Sequence, residues 1–275
     1  MGFFGKLFEK KICAICGEEI GLLGNRKLED GNCCKECASK LSPWFNERRN
    51  STVQEIKDQL DYREANKADV ESFHVTRTLG RNTKVLLDED ARRFIVTSAR
   101  NWQEYNPDVL KYDQVTGCDM EVDECPDEVK REVTDKEGVT RKESYNPRRY
   151  IYNYNFYMTI HVNHPYFDEM RFRLNTSQVE VRPSFSRPLM GGPRLEGSPI
   201  PPSLSDKQND PDYAMYQAMG EEIKAALTEV RSQIREDIEA ANAPKTAVTC
   251  PWCGAPTTPD ANGCCEFCGG ALDQK

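Results

Sequence analysis

Cys13-Ala-Ile-Cys16-Gly17, followed after seventeen residues by Cys34-Lys-Glu-Cys37, stands near the start of the chain. Cys250-Pro-Trp-Cys253-Gly254, followed after eleven residues by Cys265-Glu-Phe-Cys268-Gly269, stands near its end. Each is a pair of C-x2-C knuckles, the spacing that holds Zn²⁺. Zn²⁺ accepts four thiolates at tetrahedral corners, and two cysteines three residues apart grip one edge when the backbone turns sharply between them. Gly17, Gly254 and Gly269 follow a knuckle, where such a turn needs freedom. The sequence therefore predicts two structural Zn²⁺ sites, one held by Cys13, Cys16, Cys34 and Cys37, the other by Cys250, Cys253, Cys265 and Cys268. A four-cysteine site is closed and offers no position to a reacting water.

Four cysteines remain. Cys33 and Cys264 precede the third ligand of their sites and are alternative ligands; the x2 spacing favours Cys34 and Cys265. Cys118 and Cys125 lie apart from any His or second pair and read as semi-buried thiols. Disulfides are the competing use of so many cysteines. The first eleven residues lack the apolar core of a secretory signal, so a reducing, cytoplasmic setting is expected.

The 275 residues carry a formal charge of −8. That sign gives no long-range help in approaching a phosphate backbone. Residues 1–50 are mildly basic, nine Lys/Arg against seven Asp/Glu, and Arg26, Lys27, Trp44, Arg48 and Arg49 would have to carry any nucleic-acid contact.

Seven segments are expected. Residues 1–11 form an apolar and basic tail, with Phe3, Phe4, Leu7 and Phe8 at helical spacing. It either folds over the module that follows or touches a membrane surface. Residues 12–48 are the N-terminal zinc module. Residues 49–69 form a connector helix, capped by Thr52 and Glu55, with Val53, Ile56 and Leu60 as a narrow apolar stripe.

Residues 70–182 switch to period two, as an antiparallel β domain. Its clearest strand alternates Tyr152, Tyr154, Phe156, Met158, Ile160 and Val162 with Asn153, Asn155, Tyr157, Thr159 and His161. Met170, Phe172 and Leu174 alternate with Arg171 and Arg173 in the next. A charged insert at 123–148 reads as a solvated hairpin loop. Residues 183–210 hold six prolines and three glycines and read as a linker without elements. Residues 211–243 form a long helix, capped by Asp210 with Pro211 at its first position. Its stripe of Met215, Met219, Ile223, Leu227, Val230, Ile234 and Ile238 either closes the sheet or pairs with a second copy as a homodimer. Residues 248–272 are a C-terminal zinc ribbon.

No catalytic constellation emerges: no Gly-rich phosphate loop, no nucleophile elbow, no H-E-x-x-H. His161 and His164 are three apart, so on a strand they face opposite ways. His74 stands alone.

The residues Cys13-Ala-Ile-Cys-Gly-Glu-Glu-Ile-Gly-Leu-Leu-Gly24 and Asp30-Gly-Asn-Cys-Cys-Lys-Glu-Cys37 resemble those of a group of uncharacterised bacterial proteins. These open with a four-cysteine module and carry a pleckstrin-homology-like middle. The resemblance implies zinc and a fold but no reaction. The fold class expected is α+β: zinc modules at both ends of an antiparallel sheet or barrel, pleckstrin-homology-like, closed by the long C-terminal helix. The function expected is a non-catalytic, zinc-stabilised interaction or adaptor protein whose modules dock protein partners. Nucleic-acid binding is the alternative, and anionic-lipid binding through the tail and β domain a further one. Arg171 and Arg173 are the candidate anion contacts.

Overall fold

The structure is a computed structural model that describes residues 11–184, 196–242, 247–260 and 263–272. The tail, with Phe3, Phe4, Leu7 and Phe8, lies outside the described residues, as does the side chain of Ile238. The chain divides into two units, Met1–Arg231 and Ser232–Lys275.

The first unit begins with four two-residue strands. β1 (Lys11–Ile12) pairs antiparallel with β2 (Glu19–Ile20), and β3 (Arg26–Lys27) with β4 (Asn32–Cys33). A single helical turn, α1 (Lys35–Ala38), follows. Strands this short bury little, and the module's apolar core is small: Ile20, Leu28, Cys33 and Leu41 close around Cys13 and Cys37. That core is completed from outside by Ile56 of α2 (Val53–Glu71). The start of α2 is doubly capped. Thr52 and Glu55 form the capping box, and Asp30 Oδ1 accepts from the Val53 N–H at 2.7 Å. Gly31 is required beside it, since a Cβ there would stand 2.7 Å from Val53 Cγ2.

The helix then changes company. Beyond Ile56, its buried side chains are Gln59, Arg63, Asn66 and Val70, so its inner face is largely polar. Arg63 and Asn66 satisfy the turn before the strand Val109–Lys111, where Asn106 adopts a left-handed backbone (φ 46°). Asn66 Oδ1 accepts from the Val109 N–H, and its Nδ2 donates to the Asn106 side chain and the Pro107 carbonyl. A hydrophobic stripe alone cannot reveal such a face.

The β region comprises two four-stranded antiparallel sheets. In one, β5 (Arg77–Gly80), β6 (Lys84–Asp88), β7 (Arg93–Thr97) and β8 (Val109–Lys111) follow one another in order. In the other, β9 (Val115–Thr134) pairs along one edge of β10 (Thr140–His164), while β11 (Phe167–Arg173) and β12 (Val179–Val181) share the opposite edge. Among the described residues the strands form no closed barrel, which corrects that part of the expectation. Tyr152, Tyr154, Phe156, Met158, Ile160 and Val162 are all buried, the period-two face the sequence predicts.

Two segments differ from expectation. Residues 123–148 are not a loop: β9 and β10 pair through Thr134↔Thr140, so the connection shrinks to five residues. Charged side chains on both faces hid the strand period. They are tolerated because they pair across the ribbon, as Arg131 with Glu143 and Arg148 with Glu128. Residues 183–210 are not without elements. Ser198 exchanges two backbone hydrogen bonds with Tyr150 of β10. Ser203 caps a short helix, α3 (Leu204–Asn209), with Asp206 completing its capping box.

Asp210 ends α3 and starts the long helix α4 (Pro211–Asn242), its Oδ1 accepting from the N–H groups of Asp212 and Tyr213. Within the first unit α4 lies against its own sheet. The Tyr213 ring meets Tyr154 and Phe156 edge-on at 5.2 and 5.0 Å. Ile223, Ala226, Leu227 and Val230 are buried. No described helix is long and apolar enough to cross a membrane.

The second unit holds the end of α4 and a small module with β13 (Val248–Thr249) paired to β14 (Pro256–Thr257). Its core is Cys250, Cys265 and Leu272.

Candidate metal centres

Three of the four knuckles are built alike. In each, the leading cysteine's N–H donates to the carbonyl five residues on: Cys13 to Glu18, Cys250 to Ala255, Cys265 to Gly270, all at 2.9 Å. In each, the glycine four residues on donates back to the leading cysteine's carbonyl: Gly17, Gly254 and Gly269. Those glycines have φ between 69° and 78°, a conformation that costs L side chains free energy and glycine little. The sequence signal C-x2-C-G is thus the signal of this turn. The fourth knuckle lacks the glycine and is helical instead. Cys34 is the N-cap of α1, and its Sγ accepts from the Cys37 N–H at 3.3 Å.

These turns bring the sulfurs together. Among the described residues, Cys13, Cys16, Cys34 and Cys37 form one group and Cys250, Cys253, Cys265 and Cys268 a second, with all sulfurs in a group within 4.8 Å of one another. Cys16 Sγ lies 3.8 Å from Cys34 Sγ, Cys250 Sγ 3.6 Å from Cys268 Sγ, and Cys253 Sγ 3.7 Å from Cys265 Sγ. A tetrahedron of metal–sulfur bonds near 2.3 Å has edges of about 3.8 Å, whereas a disulfide needs about 2.05 Å. Both groups fit a tetrahedral metal ion, which the four sulfurs of each could hold.

The electrostatics of the sulfurs repeat with the turns. Burial pushes the Cys13 thiol up, but the N–H groups of Cys16, Cys34 and Ile15 outweigh it and bring its pKa down to about 6. Cys265 is likewise penalised by burial, yet the N–H groups of Cys268 and Phe267 lower it to about 6. Cys250 is lowered in the same way through Cys253 and Trp252. The trailing sulfurs go the other way. The Gly270 N–H favours the Cys268 thiolate, but burial and the three neighbouring sulfurs push it up to about 12. Burial, with Cys34 and Cys16 beside it, raises Cys37. Four sulfurs this close cannot all ionise unless a cation sits among them.

Cys33 and Cys264 belong to neither group. Cys33 is fully buried in the module core, donates its S–H to the Cys34 carbonyl at 3.4 Å, and is pushed up to about 12, chiefly by burial. Cys118 and Cys125 stand opposite Ile160 and Asn153 on β9. An odd separation along a strand places them on opposite faces. Burial drives Cys118 up to about 12, and Cys125 Sγ accepts from Asn155 Nδ2.

The other sequence candidates are dispersed. His161 faces Asp119 at 3.3 Å. His164 stacks on Phe167 at 4.1 Å, and burial lowers its pKa. His74 is exposed beside Asp90. Arg171 pairs with Glu121 at 2.6 Å over the Tyr157 ring, and Arg173 donates to Asn155 and Thr176. Arg171 is thus paired with a carboxylate, whereas Arg173 is held by neutral oxygens. Trp44 is half-buried, with its backbone N–H donating to Ser42 Oγ.

Residues 11–59 match a family model described as a domain of unknown function, DUF4428. The match covers the first metal group, its supporting strands and the capped start of α2. No curated protein and no solved structure matches the chain.

Proposed function

We propose that this chain is a non-catalytic, zinc-stabilised interaction protein. The observation that carries the reading is the closure of both clusters: four thiolates fill the coordination sphere and leave no position for a substrate or water. Zn²⁺ suits an all-sulfur tetrahedron, and each ion would supply folding free energy on the order of 10 kcal/mol to a module with almost no core of its own. Cys13, Cys16, Cys34 and Cys37 would hold the first ion; Cys250, Cys253, Cys265 and Cys268 the second. Thiolate ligands favour a reducing compartment such as the cytoplasm.

The middle region acts in this reading as the scaffold between the modules. We read its order as pleckstrin-homology-like with one additional strand: four antiparallel strands, four more, then a helix laid on the sheet. Exposed aromatic side chains support the reading that the second module docks a protein partner. Trp252 and Phe267, each the residue before a knuckle's trailing cysteine, are 73 % and 70 % exposed.

Native mass spectrometry before and after a chelator tests the proposal. Two zinc ions per chain, lost together with the folded charge-state distribution, is the expected result. One ion or none overturns it.

A further inference from the structure

The first metal module ends in a tip. The turn Gly21-Leu-Leu-Gly24 is closed by the Gly24 N–H donating to the Gly21 carbonyl at 2.9 Å. Leu22 and Leu23 are 83 % and 89 % exposed. Side chains in a groove lose far more of their surface, so nothing among the described residues of the first unit covers these two. The tip is nevertheless held in place. It joins β2, whose Ile20 is in the module core, to β3, which pairs with β4 immediately before the ligand Cys34. The metal group therefore fixes where the leucines stand.

Cations gather behind the tip. Arg26 folds back on the turn, its guanidinium donating to the carbonyls of Leu23 and Asn25 at 3.3 and 3.2 Å. Lys27 lines a solvent-open cleft of about 350 Å³ together with Arg49, Asn50, Leu28 and Glu29. Arg26 is held by those two carbonyls, whereas Lys27 and Arg49 make no ion pair among the described residues, in a chain of charge −8. Leu23 and Lys27 are four residues apart, at most about 14 Å, so tip and cleft can meet one surface.

We propose that this end of the module docks on an anionic phospholipid bilayer. Leu22 and Leu23 enter the acyl boundary, and Lys27 and Arg49 receive a headgroup phosphate. An apolar tip backed by unpaired cations complements that surface, apolar within and negative at its face. Glu29 in the cleft and the nearby Glu18 keep the charge term small, so insertion of the leucines is needed as well. This distinguishes a lipid from free phosphate. The proposal rests on the module being metal-held, and metal content is therefore read independently.

The test is co-sedimentation of the full, zinc-loaded chain with vesicles of phosphatidylcholine alone or mixed with phosphatidylserine. Binding to the mixed vesicles is expected. The Leu22→Ser/Leu23→Ser variant should bind at least about 30-fold more weakly. Lys27→Glu/Arg49→Glu should lose the preference for phosphatidylserine, each cation contributing about fivefold. Residues 1–10 are common to all variants, so the comparison isolates the tip. Native mass spectrometry of each variant reports its zinc count. Two ions with unchanged vesicle binding by Leu22→Ser/Leu23→Ser overturns the proposal. So does absence of binding by the parent chain, or displacement from vesicles by inorganic phosphate. In each of those cases the zinc count stands by itself.

Discussion

Arg63 Nη1 lies 2.8 Å from Asp108 Oδ1, with both side chains out of solvent. Asp108 also accepts from Ser42 Oγ at 2.8 Å, and Arg63 donates to the carbonyls of Lys40 and Asn106. Lys40 and Ser42 follow Cys37 of the first sulfur group by three and five residues. One buried ion pair thus ties the first metal module, helix α2 and the turn before β8 into one body.

Removing one partner leaves the other charge buried and unpaired. Asp108→Ala should therefore lower stability by about 3–5 kcal/mol. Replacing both partners by apolar side chains, Arg63→Met with Asp108→Leu, should recover most of that loss. Denaturant midpoints in zinc-saturated buffer measure both, and additive costs would show that the two residues act separately.

Metal content should divide cleanly among the cysteines. Cys13→Ser and Cys265→Ser should each reduce two ions per chain to one. Cys33→Ser should keep both ions and cost about 1–3 kcal/mol, since a hydroxyl at that fully buried position is poorly satisfied. Loss of an ion in Cys33→Ser would place that sulfur on the metal. Elemental analysis of the purified variants gives the count.

Asp88 sets an acid limit on the β6–β7 hairpin. Burial disfavours its carboxylate, but the Ala91 N–H, the Arg93 guanidinium and the His74 N–H outweigh it, so its pKa lies below the ordinary value. A lowered folded pKa favours the ionised form in the native state. The contribution is full above the unfolded value near 3.9 and disappears as pH falls through the folded one. Asp88→Asn should therefore cost about 2 kcal/mol at neutral pH, and the gap to the parent chain should narrow only below about pH 4. A gap that closes between pH 5 and 7 would assign the effect to another group.

The helix stripe bears on assembly. Tyr213, Ile223, Leu227 and Val230 are buried in the chain itself, while Met215, Tyr216 and Met219 are half-buried, so the greater part of the stripe is already used. Light scattering should give the 31.4 kDa monomer. Twice that mass would place the dimer contact elsewhere, beyond Arg231 or on another surface.

The metal groups were legible because their signal is local. C-x2-C-G specifies a turn of five or six residues, and four sulfurs meet once two such turns are brought together. The strand carrying Tyr152 to Val162 was legible for a similar reason: one face is apolar, and period two shows it. The ribbon at 123–148 was not, because its side chains are charged on both faces and pair with residues that only the hairpin register places opposite them. The Arg63–Asp108 pair joins positions 45 apart, and nothing in either neighbourhood announces the other.

By itself, then, the sequence determined the elements whose cause is contained within a few residues: the knuckles, the caps at Thr52 and Asp210, and the alternation of the core strand. The tertiary structure decided everything that depends on which distant residues meet. That includes a helix face built from Gln59, Arg63 and Asn66, two sheets in place of a barrel, partners for Arg171 and Arg173, and an uncovered Leu22–Leu23 tip. Local propensity follows from chain geometry over one or two turns, whereas satisfaction of a buried charge and exposure of an apolar side chain depend on packing across the whole unit.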